Sequence, residues 1–277
     1  MSAIRVEHIE KSFAGTRALS DIGLEIEKGE LFGLIGPDGA GKTTLFRILT
    51  TLLVPDAGDA WVAGFHTVRD FRKIRRIVGY MPGRFSLYPD LSVEENLRFF
   101  ATIFGTTIEQ NYALIEDIYV QLAPFKDRRA AALSGGMKQK LALCCALIHE
   151  PEVLFLDEPT TGVDAVSRVE FWEMLARLKA KGITILVSTP YMDEAALCER
   201  IALIQSGRIL KTDTPENIRK AYPFPLFSVR ANGVYRLLND LRAFPRVRRA
   251  EAFGDTVHLA VSEAVSVAAI RDFLSQK

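Results

Sequence analysis

The sequence has no long hydrophobic run. Its longest, LALCCALI over Leu141–Ile148, is far short of the ~20 residues a membrane-spanning helix needs. Cysteine is scarce: Cys144, Cys145 and Cys198 fit neither a disulfide framework nor a metal-ligand spacing. Two of them lie in that apolar stretch, where a reduced thiol packs as a small hydrophobe, so a reducing compartment is the natural reading. Excess charge is missing too. The 35 Lys and Arg against 34 Asp and Glu leave a net +1, and no polyelectrolyte field argues for nucleic acid. The basic clusters FRKIRR and FPRVRR are short and interrupted, as solvated faces are. The N-terminus MSAIRVEHIEK carries charges where a secretory signal needs an apolar centre. If the protein works at a membrane, something else must hold it there.

What remains is ordinary globular composition, 48% hydrophobic and 25% charged over 277 residues, enough for a sizeable core in one large domain or a large one plus a small one. Residues 1–35 alternate like strands and end in the apolar LFGLIG, closed by glycine. A helix is expected over Thr43–Leu53, stopped by Pro55, and then strands in DAWVAGF and RRIVGYM. From about 84 to 150 the character is helical, opening with a Ser92–Glu95 capping box. The buried-strand patterns VLFLDEP and ITILVST flank a helical AVSRVEFWEMLARLKAKG ended by Gly182. Such alternation predicts an α/β fold with a parallel sheet covered by helices. After Lys211 the pattern resets to strand, helix, strand, strand, helix. The expected domains are therefore 1–211 and a small α+β appendage over 212–277, resembling half of a ferredoxin-like unit.

The stretch GPDGAGKT, Gly36–Thr43, sits between a strand and a helix. Glycines there let backbone N–H groups curl around phosphate oxygens, and the helix start adds partial positive charge. The loop Gly36, Pro37, Asp38, Gly39, Ala40, Gly41, Lys42, Thr43 and Thr44 is thus the candidate nucleotide cradle. Lys42 would reach the terminal phosphates, and the Thr43 hydroxyl would meet Mg²⁺. The apolar strand VLFLDEP delivers Asp157, able to hold the metal through water, and Glu158, able to polarise an attacking water. LSGGMKQ places Ser134, Gly135 and Gly136 at a second helix start, a second anion site far along the chain.

With that third motif the sequence resembles the ATP-binding cassette (ABC) family, specifically the ATPase subunit of a transporter, over about residues 3–211. The resemblance implies a P-loop fold with a RecA-like parallel core, an antiparallel β subdomain and a helical subdomain over about 84–150. It implies ATP and Mg²⁺ as ligands, and a head-to-tail pair, identical or not, in which Ser134–Gly136 of one subunit covers the nucleotide of the other. It places an adenine-stacking ring at Phe13, which the pattern alone would assign to the core, and dimer communication at Asp164. The runs GYMPGRFSLYPDLSVEENL and YMDEAALCERIALIQSGRIL look most like ABC-2 type exporters, including drug-efflux ATPases. The expected partner is then an integral membrane permease on a separate chain, docked on a groove built largely from Gly83–Leu91. The expected place is the cytoplasmic face of the membrane.

Two positions depart from the family pattern. Gly83 stands where a Gln is usual, and Pro190 where a His donates to the terminal phosphate. Proline has neither a side-chain donor nor an N–H. The expectation is a slow hydrolytic site acting alongside a better one from a different ATPase subunit, unless Arg84 or Thr189 substitutes for the missing donors; Glu158, the proposed water-activating group, is still present. Two other readings stay open: a soluble ABC-type ATPase outside transport, and a regulator that senses ATP without hydrolysing it.

Overall fold

Alternation builds the first sheet. In the strand Thr16–Glu27, Ile22, Leu24 and Ile26 are buried, while Asp21, Gly23, Glu25 and Glu27 face out, the pattern of a sheet covered on one face. It pairs with Ser2–Phe13, followed by Ala57–Val62 and Phe65–His66, all antiparallel. The computed structural model that shows this describes residues 2–263 and 265–276.

Unbroken apolar runs build the second sheet. Every residue of Leu31–Ile35, Val153–Asp157 and Thr184–Thr189 is buried, as strands covered on both faces must be. The sheet has six strands, in the order Arg208–Asp213, Arg200–Gln205, Leu31–Ile35, Thr184–Thr189, Val153–Asp157, Val78–Met81. All neighbours are parallel except the first pair. The helix Lys42–Leu49 lies in the core shared by both sheets, where Phe46 meets Phe155 edge-on at 5.9 Å. The helical region comprises Val93–Phe104, Tyr112–Leu122 and Gly135–Leu147. The Ser92–Glu95 capping box closes in both directions. Buried Asn96 binds the Tyr88 and Ser92 carbonyls and accepts the Tyr88 N–H. No helix among the described residues is long and apolar enough to cross a membrane.

Two local expectations need correction. The first helix ends at Leu49 rather than Leu53, because Thr51 turns left-handed at φ 63°. Within RRIVGYM, the residues through Ile77 belong to the helix Phe71–Ile77, and only Val78–Met81 is strand.

The chain divides between Asn217 and Ile218 into two compact units. In the second, Leu226–Val229, Val234–Arg242, Val247–Phe253, Thr256–Val261 and Val267–Ser275 repeat the expected strand, helix, strand, strand, helix. The last strand inserts between the other two, antiparallel to both, which is the split βαβ order of half a ferredoxin-like unit. Leu237, Leu241, Phe244, Val257, Leu259 and Ile270 give this unit its own core.

Candidate nucleotide site

The strand Leu31–Ile35 runs directly into the glycine loop. A Cβ on Gly36 would stand 2.2 Å from the Ile204 carbonyl oxygen, so only glycine fits there. Gly41 turns at φ 106°, and a Cβ on it would meet the Ala18 carbonyl at 2.6 Å. It starts the helix Lys42–Leu49 with no side-chain cap, leaving first-turn N–H groups to an incoming acceptor. A cavity of about 180 Å³ opens here, lined by Ala18, Asp38–Thr44 and Glu158.

Lys42 is 3% exposed. Its ammonium donates to Gly36 O at 2.8 Å and Pro37 O at 3.0 Å, and lies 3.0 Å from Glu158 Oε1. These acceptors match the three donors an ammonium has. Glu158 follows the buried strand Val153–Asp157 and itself takes φ 51°, a left-handed geometry that non-glycine residues adopt at a cost. Its N–H is caught by the Ser188 carbonyl and hydroxyl, both at 3.0 Å. That hydroxyl in turn donates to Asp157 Oδ1 at 2.6 Å. On the neighbouring strand, burial and then the Asp157 charge push the Tyr80 phenol up to about 12, so it stays neutral.

Both departures lie beside this centre. A Cβ on Gly83 would stand 3.0 Å from the Asp157 carbonyl oxygen. Pro190 follows Thr189, whose carbonyl accepts the Gly36 N–H at 3.3 Å. Thr189 does not fill the expected role of substitute donor. Its buried hydroxyl gives its proton to Glu194 Oε2 at 2.5 Å and accepts the Tyr191 N–H at 3.0 Å. Arg84 is exposed. No motif in the sequence marks Glu194. Its one local signal is the spacing to Cys198, which puts an acid on the buried side of that turn.

Ser134, Gly135 and Gly136 start the helix Gly135–Leu147, with the Ser134 hydroxyl accepting the Met137 N–H at 3.3 Å. They lie against another helix start, Ala165–Ala180, capped by Asp164 through the Ser167 N–H at 3.0 Å. A Cβ on Gly136 would meet Ser167 Oγ at 2.7 Å. Hydrogen bonds from the Ser167 N–H and hydroxyl hold the Asp164 carboxyl below its usual range. None of Ser134, Gly135, Gly136 or Asp164 lines the Lys42 cavity. The structure thus brings together Gly36–Thr44, Asp157 and Glu158, and keeps the second loop apart on an exposed edge. Phe13, at a hairpin turned by Ala14 and Gly15 (φ 44° and 84°), is 47% exposed rather than core.

A separate groove of about 410 Å³ lies between the Val78–Met81 strand and the helical region. Its lining includes Leu52, Met81, Phe100, Ile103, Phe104 and His149. Of Gly83–Leu91, Ser86 and Leu87 reach it. His149 stacks on Phe104 with ring centroids 3.7 Å apart, and its Nε2 lies 3.0 Å from Val78 O.

The family model described as ABC transporter matches residues 19–161. The chain is 39% identical over 277 residues to the probable multidrug ABC transporter ATP-binding protein YbhF of Escherichia coli (strain K12), covering 98% of this chain and 48% of YbhF. It therefore spans about half the length of that relative. It is 36% identical over 270 residues to Nod factor export ATP-binding protein I of Paraburkholderia xenovorans (strain LB400), covering 96% and 88% respectively. Among solved structures, the dimeric MJ0796, a bacterial ABC transporter cassette, superposes with TM-score 0.69 at 25% identity, over 76% of this chain and 98% of that one. The glycine loop faced by an acidic strand end and these likenesses agree: this chain belongs to the ABC transporter family.

Proposed function

We propose that the chain binds and hydrolyses ATP as the peripheral subunit of an exporter, on the cytoplasmic face of the membrane. The observation that carries this is the buried Lys42 ammonium inside a glycine cradle, facing Glu158. Phosphate oxygens entering the cavity replace the Gly36 and Pro37 carbonyls as its acceptors, while loop N–H groups and the helix start supply the remaining donors. The half-exposed Phe13 ring offers a face for adenine. Mg²⁺ suits the hard-oxygen set here, the Thr43 hydroxyl directly and Asp157 through water, and supplies charge neutralisation at the phosphates. Glu158 orients and deprotonates the attacking water once Lys42 turns to phosphate.

One chain leaves the cavity uncovered by the Ser134–Gly136 turn, so a second ATPase subunit supplies that turn and reads the state across Asp164. That the MJ0796 cassette is dimeric supports the pairing of two subunits. ATP closes the pair, and hydrolysis releases it. The apolar groove beside Phe100 and Phe104 takes the permease, and the name of the Nod factor export relative points to export. The C-terminal unit, with a core of its own, stabilises the pair or regulates it.

The test is equilibrium titration with MgATP together with phosphate release. Wild type binds, Lys42→Ala does not, and Glu158→Gln binds without turnover. No binding by wild type sinks the reading. A second reading, an ATP sensor, is favoured by Gly83 and Pro190, and it is selected if wild type and Glu158→Gln share one background rate. Co-purification with an integral membrane protein separates the exporter from a soluble ATPase.

A further inference from the structure

Glu194, in the turn Met192–Ala195, is 1% exposed, and a buried carboxylate must be matched by donors. Its Oε1 accepts the Thr160 hydroxyl at 2.7 Å, Arg168 Nε at 3.1 Å and Arg168 Nη2 at 3.0 Å, and its Oε2 accepts the Thr189 hydroxyl at 2.5 Å. These partners come from three separate segments of the site. Thr160 lies two residues after Glu158, Thr189 immediately precedes Pro190, and Arg168 belongs to the helix capped by Asp164. Arg168 also reaches Asp193 at 3.0 Å and lies 4.5 Å from the Tyr191 ring centre.

We infer that Glu194 is a positioning residue for hydrolysis, its carboxylate clamping the Glu158 turn, the Pro190 strand end and the Asp164-capped helix into one body. The inference rests on the hydrolytic reading above. Two features make such a clamp necessary in this chain. Glu158 is held at φ 51°, a conformation that persists only where the surroundings impose it, and Thr160 is the first side chain beyond Pro159 able to anchor that turn. At the other strand end, Pro190 has no donor of its own, so the Thr189–Tyr191 turn is fixed through the Thr189 hydroxyl instead. The Arg168 bonds extend the same carboxylate to the helix that Asp164 caps. Glu194 does not line the nucleotide cavity, so its effect falls on the placement of reacting groups and not on nucleotide affinity.

The experiment measures phosphate release and MgATP affinity for wild type, Thr160→Val, Thr160→Ser, Glu194→Gln and Glu194→Ala. Small displacements far from the chemistry can cost up to about a hundredfold. Thr160→Val and Glu194→Gln should therefore lower kcat about tenfold or more while Kd stays within about twofold, and Thr160→Ser should restore kcat. Thr160→Val keeps the side-chain shape and removes one hydroxyl, so the test survives if Glu194→Ala fails to fold. Unchanged kcat in Thr160→Val and Glu194→Gln overturns the inference, as does a Kd that rises in step with the fall in kcat. Wild type that binds MgATP but turns over no faster than Glu158→Gln overturns it as well, leaving nucleotide binding intact. Wild type without affinity for MgATP removes the nucleotide reading itself.

Discussion

Replacing Pro190 with histidine tests the expectation that this site is slow for want of a donor at that position. The Thr189 carbonyl is bonded to the Gly36 N–H, so residue 190 is one peptide from the first amide of the phosphate loop. Proline there offers no donor, and the Thr189 hydroxyl is committed to Glu194. Removing one preorganised donor costs about a hundredfold to a thousandfold in other enzymes. Restoring one into a loop shaped around proline should return part of that, a rise in kcat of about tenfold to a hundredfold. MgATP affinity should stay within about twofold, because it rests on the loop amides and Lys42. Losing the proline also frees the unfolded chain, at about 0.4–1 kcal/mol, or roughly 1–4 °C of Tm for a unit of this size. Pro190→Ala separates the two effects: it should lose the same stability and gain no rate. The measurements are steady-state phosphate release, equilibrium MgATP binding and thermal unfolding. An unchanged kcat in Pro190→His with intact affinity would refute the reasoning. So would wild-type turnover already at several per second.

Phe13→Ala should raise the Kd for MgATP about fivefold or more, since stacking a base on a ring contributes about 1–3 kcal/mol. Because the ring is 47% exposed, Tm should barely move, and a fall in Tm with unchanged Kd would return Phe13 to the core. The three thiols should be silent toward an aromatic disulfide at pH 8 until the chain unfolds. Burial pushes Cys144 and Cys145 well up, and burial with the Glu194 and Glu199 charges takes Cys198 to about 12. A raised pKa keeps the thiol protonated below it, and only the thiolate attacks. Rapid labelling of the folded protein would contradict this.

Local signals carried the parts of the protein that were read correctly from sequence. The apolar run into Gly36 and the Ser92–Glu95 box each state their structure within a dozen residues, and so does each element of the alternation after Lys211 in its turn. Errors came where a local signal was too short or pointed past a break. The helix Phe71–Ile77 buries only Ile74, too little periodicity to set against the strand pattern that follows it. The apolar residues after Leu49 continue a helical pattern that Thr51 interrupts with its backbone. Glu194 was invisible because its partners stand 34, 26 and 5 positions away, and no periodicity joins residues on different loops. Phe13 shows the same limit in reverse, since an aromatic beside a hairpin turn reads as core until its exposure is known.

Glu158 occupies a dihedral region from which L-amino acids are largely barred, at an expense on the order of 1–2 kcal/mol, and glycine would sit there without complaint. Glycine would relieve that expense and at the same time strip the buried Lys42 ammonium of its carboxylate, a larger loss of about 3–5 kcal/mol. A library of this chain screened for heat resistance alone should therefore keep Glu158, its strained backbone held in place by the cation it neutralises.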